Sequence, residues 1–116
     1  MVVDDNERLR TVVRDVLQPA ADLRVVGLAS SGAEALRLAA EVAPDVVVMD
    51  LSMPNMDGVE ATRHLVSRYP GLRIVVLTGS LERVHEAFAA GATAHLLKES
   101  PACELETRIR EAVASR

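Results

Sequence analysis

The chain has 116 residues, 49% of them hydrophobic, yet only Tyr69 and Phe88 are aromatic, so it is sized for one domain with a core of Val, Leu, Ala and Met. Seventeen acidic residues against thirteen basic ones give a net charge of −4, which argues against this segment gripping a nucleic-acid backbone. The single cysteine, Cys103, excludes an internal disulfide and fits a reducing cytoplasm; no apolar run approaches the roughly 20 residues that span a bilayer; and the start turns acidic too soon for a signal peptide.

Taken in chain order, two hydrophobic rhythms alternate. Met1–Val3 is a short β-branched run, followed by Leu9, Val12, Val13, Val16 and Leu17 on one face of a helix. Leu23–Ala29 reads as a second strand, and Ser31 with Glu34 forms a capping box ahead of Leu36 and Ala40. Val46–Met49 is a third strand, and Val59, Thr62, Leu65 and Val66 predict a helix that stops at Tyr69-Pro70-Gly71. Ile74–Leu77 is a fourth strand; Leu81, Val84 and Phe88 mark a shorter helix ended by Gly91. Ala94–Leu97 is the fifth, and Ser100 as N-cap with Pro101 at the first helical position opens a last helix bearing Leu105, Ile109 and Val113. The third and fourth strands are apolar without alternation, as strands covered on both faces should be, so the pattern predicts a doubly wound α/β sandwich with a parallel sheet. The first strand is short against the usual 5–6 residues, which predicts that it is clipped or that the natural chain begins upstream of Met1.

The strand ends carry the chemistry. In an open parallel sheet, ligands bind at the carboxyl ends of the strands. Here the first run ends in Asp4-Asp5, the third in Asp50, the fourth in Thr78 and the fifth in Lys98. Singly, each has a plain explanation: Asp4 and Asp5 as helix caps, Asp50 and Thr78 as turn residues, Lys98 as a solvated lysine. Together they form a chemical set. Three crowded carboxylates repel unless a cation sits among them, and oxygen-only ligands without His or Cys suit a hard ion, Mg²⁺ or Mn²⁺ in its place. A hydroxyl and an ammonium suit the oxygens of a transferring phosphoryl group, and a carboxylate is a competent phosphoryl acceptor.

From "VVDDN" through "VVVMDLSMPNMDG" and "VVLTG" to "GATAHLLKES", the whole chain resembles the CheY-like receiver domains of two-component response regulators. "DGVEATR" and "LLKESP" are similar to the NarL/LuxR-type subfamily of transcriptional regulators. The resemblance implies a flavodoxin-like (βα)5 fold with strand order 2-1-3-4-5, residues 1–116 forming the receiver and any helix-turn-helix output domain lying outside them. It implies that Asp50 accepts a phosphoryl group from a sensor histidine kinase, and that Asp5, Asp50 and the backbone carbonyl of Ser52 ligate Mg²⁺ with Asp4 assisting through water. Thr78 and Lys98 would bind phosphoryl oxygens, and small Gly79 would leave room for the group. Thr78 and position 95 would act as the switch, moving the face made by the fourth helix, fifth strand and last helix to regulate output, transcription in this subfamily. Two departures stand out. The position usually held by a switching aromatic is His95, and Glu99 follows the lysine where many receivers have a cis proline, with Pro101 two residues later.

The expected partners are the kinase and, on phosphorylation, a second copy of the chain; DNA would be reached only through an output domain, and no membrane is involved. The chain would be no turnover enzyme beyond its own phosphoryl transfer and slow autodephosphorylation. Two rivals remain. A haloacid dehalogenase-type phosphohydrolase would need a second Asp two residues after the nucleophile, where Ser52 stands. A degenerate receiver acting as a phosphorylation-independent interaction module is opposed by the complete set Asp5, Asp50, Thr78 and Lys98. Elsewhere, His64 and His85 read as surface residues, Cys103 as an inert half-buried thiol, and Met53 and Met56 as packing for the turn after Asp50. Neither nucleotide-binding glycine motif is present.

Overall fold

The computed structural model describes residues 1–51, 53, 57–79 and 81–114. Five parallel strands, β1 (Val2–Val3), β2 (Leu28–Ala29), β3 (Val46–Asp50), β4 (Arg73–Thr78) and β5 (Ala94–Leu97), form one sheet in the order 2-1-3-4-5. The helices are α1 (Glu7–Leu17), α2 (Gly32–Val42), α3 (Gly58–Arg68), α4 (Val84–Ala89) and α5 (Ala102–Ala114), with a 3-10 turn at Leu81–Arg83 before α4. This is the doubly wound arrangement that the alternating rhythms predict, in the flavodoxin-like strand order that the family resemblance implies.

The unbroken apolar runs of β3 and β4 are explained by the layers on either side. Val47, Met49, Ile74 and Val76 point into one core, packed with Ala35 and Ala39 of α2, Ala61 and Leu65 of α3 and Ala87 of α4. Val48, Val75 and Leu77 point into the other, with Val13 and Leu17 of α1 and Leu105, Ile109 and Ala112 of α5. Successive residues of a strand face opposite ways, so the middle of a strand buried on both sides is apolar at every position, and polar residues fall at its ends.

Several expectations are corrected. The strand expected over Leu23–Ala29 pairs only at Leu28–Ala29, because its neighbour β1 offers two residues to pair with, Val2 to Leu28 and Val3 to Ala29. Neither Asp4 nor Asp5 caps α1; Asn6 does, its side chain accepting the Leu9 N–H at 3.2 Å. Ser31 caps α2 as expected, but Glu34 reaches back to the N–H of Ser30, not to that of the cap residue. The last helix begins at Ala102, one residue beyond Pro101. The apolar stripe that marks the short helix is mostly exposed: Leu81, in the 3-10 turn, is 57% and Phe88 42% exposed, Val84 is partly buried, and Ala87 is the fully buried residue of α4. The 3.6 periodicity finds the helix but not which side it buries. Small inward residues bring a short helix close to the sheet and leave the larger ones outside. Similarly, Val12 of the α1 stripe is exposed. Cys103 is exposed, not half-buried. Met53 is buried, while Met56 lies outside the described residues.

Two glycines are explained by the backbone. A Cβ on Gly58 would overlap the Asp50 carbonyl oxygen, so the first turn of α3 can sit against the end of β3 only with glycine there. Gly91, at φ +112°, ends α4 as its sequence position suggests.

Candidate functional site

Parallel strands deliver their carboxyl ends to one edge, and the residues singled out from the sequence meet there. Asp4 follows β1, Asp50 ends β3, Thr78 ends β4 and Lys98 follows β5. Ladder contacts align them: Asp50 is in register with Leu77, and the Lys98 N–H donates to the Thr78 carbonyl at 2.8 Å. Asp4, Asp50 and Thr78 are buried, at 2%, 1% and 3% exposure, while Asp5 is exposed.

A buried carboxylate requires compensation, and two kinds are present. Lys98 Nζ lies 2.9 Å from Asp50 Oδ1, with the lysine side chain partly open to solvent. Asp4 Oδ1 accepts the Asn6 N–H at 2.9 Å, and its carbonyl accepts Arg10 Nη1 at 2.8 Å. The compensation is incomplete. Burial pushes the Asp4 carboxyl up to about 6, and the nearby charges of Asp50 and Asp5 push in the same direction.

Asp4, Asp5 and Asp50 can each offer a carboxylate oxygen within 4.8 Å of the others. Three carboxylates against one ammonium leave an excess of negative charge, and an all-oxygen donor set of this kind fits a small divalent hard cation. Ser52, expected to add a backbone carbonyl, lies outside the described residues. A Cβ at Gly79 would meet nothing within 4 Å, so packing does not demand glycine there and the space beside Thr78 is open. His95, in the middle of β5, is partly buried and meets Phe88 edge-to-face with ring centroids 5.8 Å apart. His64 and His85 are on the surface, as expected.

The sequence reading missed Arg83. Its Nη1 donates to the Leu51 carbonyl at 3.2 Å and its Nη2 to Asp57 Oδ2 at 2.9 Å, joining the start of α4 to the loop after Asp50. No local pattern announces a contact between residues 26 apart in the chain. Asn6 was legible, standing just before an apolar helical stripe. A cavity of about 740 Å³ lies elsewhere: it opens at the amino end of the sheet, lined by Leu23, Pro44, Tyr69 and Ile109, and holds none of these groups.

Comparison with known proteins agrees with this geometry. The model of the response regulator receiver domain family matches residues 1–110. The transcriptional regulatory protein LiaR of Bacillus subtilis is 40% identical over 114 residues, 97% of this chain and 54% of LiaR. Among solved structures, a LuxR-family two-component response regulator from Aurantimonas is 36% identical with a TM-score of 0.93, covering 100% of this chain and 84% of that one. The receiver domain of the NarL response regulator of Mycobacterium tuberculosis is 31% identical with a TM-score of 0.91, covering 99% and 94%. The chain spans about half the length of the curated relatives it matches. An edge that gathers acid pair, aspartate, threonine and lysine on a 2-1-3-4-5 sheet, together with a family match along nearly its whole length, places this chain in the response regulator receiver domain family, among LuxR/NarL-type members of two-component systems.

Proposed function

We propose that this chain is a phosphorylation-controlled switch in which Asp50 accepts a phosphoryl group from the phosphohistidine of a sensor kinase in the cytoplasm. The observation that carries the reading is a carboxylate only 1% exposed at the sheet's carboxyl edge, held at 2.9 Å by Lys98 beside two further aspartates. An oxygen of Asp50 attacks phosphorus, the P–O bond forms as the P–N bond breaks, and the leaving imidazole takes up a proton. Lys98 would neutralise charge on the phosphoryl oxygens, the Thr78 hydroxyl would donate a hydrogen bond to one of them, and Gly79 would leave room for the group. Asp4, Asp5 and Asp50 would hold Mg²⁺, with the Ser52 carbonyl as a further ligand; the ion supplies charge neutralisation and alignment of the phosphoryl oxygens.

Lys98 follows β5, and Thr78 leads into the segment before α4, so drawing both toward a phosphoryl group moves the face made by α4, β5 and α5. That face exposes Leu81 and Phe88, with Phe88 against His95, an apolar surface suited to a second copy or an output partner. The relative LiaR is named as a transcriptional regulator, which supports transcription as the output, exerted through a DNA-binding domain outside residues 1–116.

Intact-mass measurement after acetyl phosphate and Mg²⁺ tests the reading. One persistent phosphoryl adduct, lost in Asp50→Asn, is expected. No adduct would indicate a phosphorylation-independent interaction module, and catalytic release of phosphate from an ester would indicate a phosphohydrolase. Sedimentation with and without beryllofluoride, together with amide exchange over residues 79–101, tests the moving face. If both are unchanged, the switch does not act there.

A further inference from the structure

Arg83 makes two sets of contacts that lead in different directions. Across the site rim, it donates to the Leu51 carbonyl at 3.2 Å and to Asp57 Oδ2 at 2.9 Å. Along its own segment, Nε and Nη2 meet Glu86 Oε2 at 3.2 and 3.1 Å. Leu51 directly follows the phosphoacceptor, and Asp57 caps α3 through its other oxygen, which accepts the Glu60 N–H at 2.9 Å. The Leu51 carbonyl also accepts the Gly58 N–H at 3.1 Å, so the guanidinium grips the loop from Asp50 to α3 near both of its ends. Arg83 itself precedes α4, which has no side-chain cap.

We propose that Arg83 is a positioning residue, a latch that ties the start of α4 to the loop after Asp50 in the unphosphorylated state and is handed to Glu86 when the site is filled. The inference rests on the phosphoryl-switch reading above. The reason for two partners is energetic. A guanidinium pulled from one carboxylate and left unpaired is costly, but one that keeps a second carboxylate three residues along its own segment is released cheaply. The latch therefore opposes movement of α4 relative to the β3–α3 loop without locking it. Two discrete arrangements, each with the cation paired, are what a coupling element requires.

Opposite effects of two variants test this. Arg83→Gln removes the latch; Glu86→Gln removes only the alternative partner and so favours the cross-rim contacts. Binding of beryllofluoride with Mg²⁺, measured by calorimetry, should become roughly two- to fivefold tighter in Arg83→Gln, the range expected for a partly exposed ion pair that stabilises one state, and weaker in Glu86→Gln. Asp57→Asn, which keeps a capping side chain, should act like Arg83→Gln, and the double variant should add little to either. Without any ligand, amide exchange in Arg83→Gln should quicken over residues 81–90 while the melting temperature changes little. If both charge variants shift binding in the same direction, or neither shifts it, the latch is wrong. If Arg83→Gln weakens binding, Arg83 builds the site and does not restrain it. Failure of the wild type to bind beryllofluoride would instead overturn the switch reading, leaving the ligand-free exchange to decide whether Arg83 ties the two segments.

Discussion

Two ion pairs of nearly equal length sit at opposite ends of the sheet. At the carboxyl end, Lys98 Nζ approaches Asp50 Oδ1 at 2.9 Å, with the aspartate 1% exposed. At the amino end, Arg110 of α5 grips Asp22 in a two-pronged contact of 2.8 and 2.9 Å, with the aspartate side chain 58% exposed. The buried pair has two further carboxylates beside it, whereas Arg110 also meets Glu106 at 3.4 Å, so its surroundings suit a cation already present. The titration follows the same division. Burial raises Asp4 beside the first pair to about 6, while the Arg110 hydrogen bonds lower Asp22 to about 2. Bond length does not tell the two pairs apart. Charge excess and burial do, because buried carboxylates that outnumber the cation beside them favour a further cation.

The comparison breaks most sharply under substitution at Asp50. Asp50→Asn should abolish the phosphoryl adduct altogether and, in chelator, raise stability by about 1 kcal/mol by thinning the carboxylate cluster. Mg²⁺ should then stabilise the variant less than the wild type. Melts of both proteins in chelator and in excess Mg²⁺ supply the comparison; equal Mg²⁺ responses would mean that the three aspartates do not share a metal.

Lys98→Met leaves the acceptor in place but has the largest expected effect on stability. Removing the cation leaves Asp50 buried among like charges, and the partial exposure of the lysine reduces the usual penalty for a broken buried pair to about 2–3 kcal/mol in chelator. Denaturant titration should show that Asp50→Asn added to this variant restores most of the loss. An additive double variant would mean that the pair is not coupled.

Acid–base behaviour should separate the two ends by sign. Asp4 is raised from 3.8 to about 6, so the folded state holds its proton more tightly. Stability from this group is greatest below about 4 and falls as pH rises through 6, by on the order of 1 kcal/mol once solvent access to the site is allowed for. Asp22 is lowered to about 2, so its contribution is present above 3.8 and lost as pH falls toward 2. In chelator, Asp4→Asn should flatten the dependence of melting temperature on pH between 4 and 7, whereas Asp22→Asn should leave that range unaltered.

The smallest effect is expected from Asp22→Asn at neutral pH. An exposed pair exchanges one hydrated charge contact for another, so its melting temperature should move least of the four and converge with wild type as salt is raised. A shift as large as that of Lys98→Met would show that the amino-end clamp holds the segment before β2 in place more firmly than its exposure indicates.

Sequence by itself determined the alternation of strands and helices, because periods of 3.6 residues and unbroken apolar runs are local properties. It also determined the members of the acid site, since the residue that ends each parallel strand is delivered to a common edge whatever packs around it. Gly58 closes the stretch "VVVMDLSMPNMDG" in the sequence, but the reason for glycine there, the Asp50 carbonyl pressed against it, is a contact between elements. Tertiary structure alone decided the length of β2, because strand pairing needs a partner and β1 supplies two residues. It alone turned Leu81 and Phe88 outward, since an apolar stripe marks a helix face without saying whether sheet or solvent lies opposite. Arg83 belongs to the same group. A guanidinium reaching a carbonyl and a carboxylate in another loop depends on distances that only the packed chain sets, and nothing in the local order of residues encodes them.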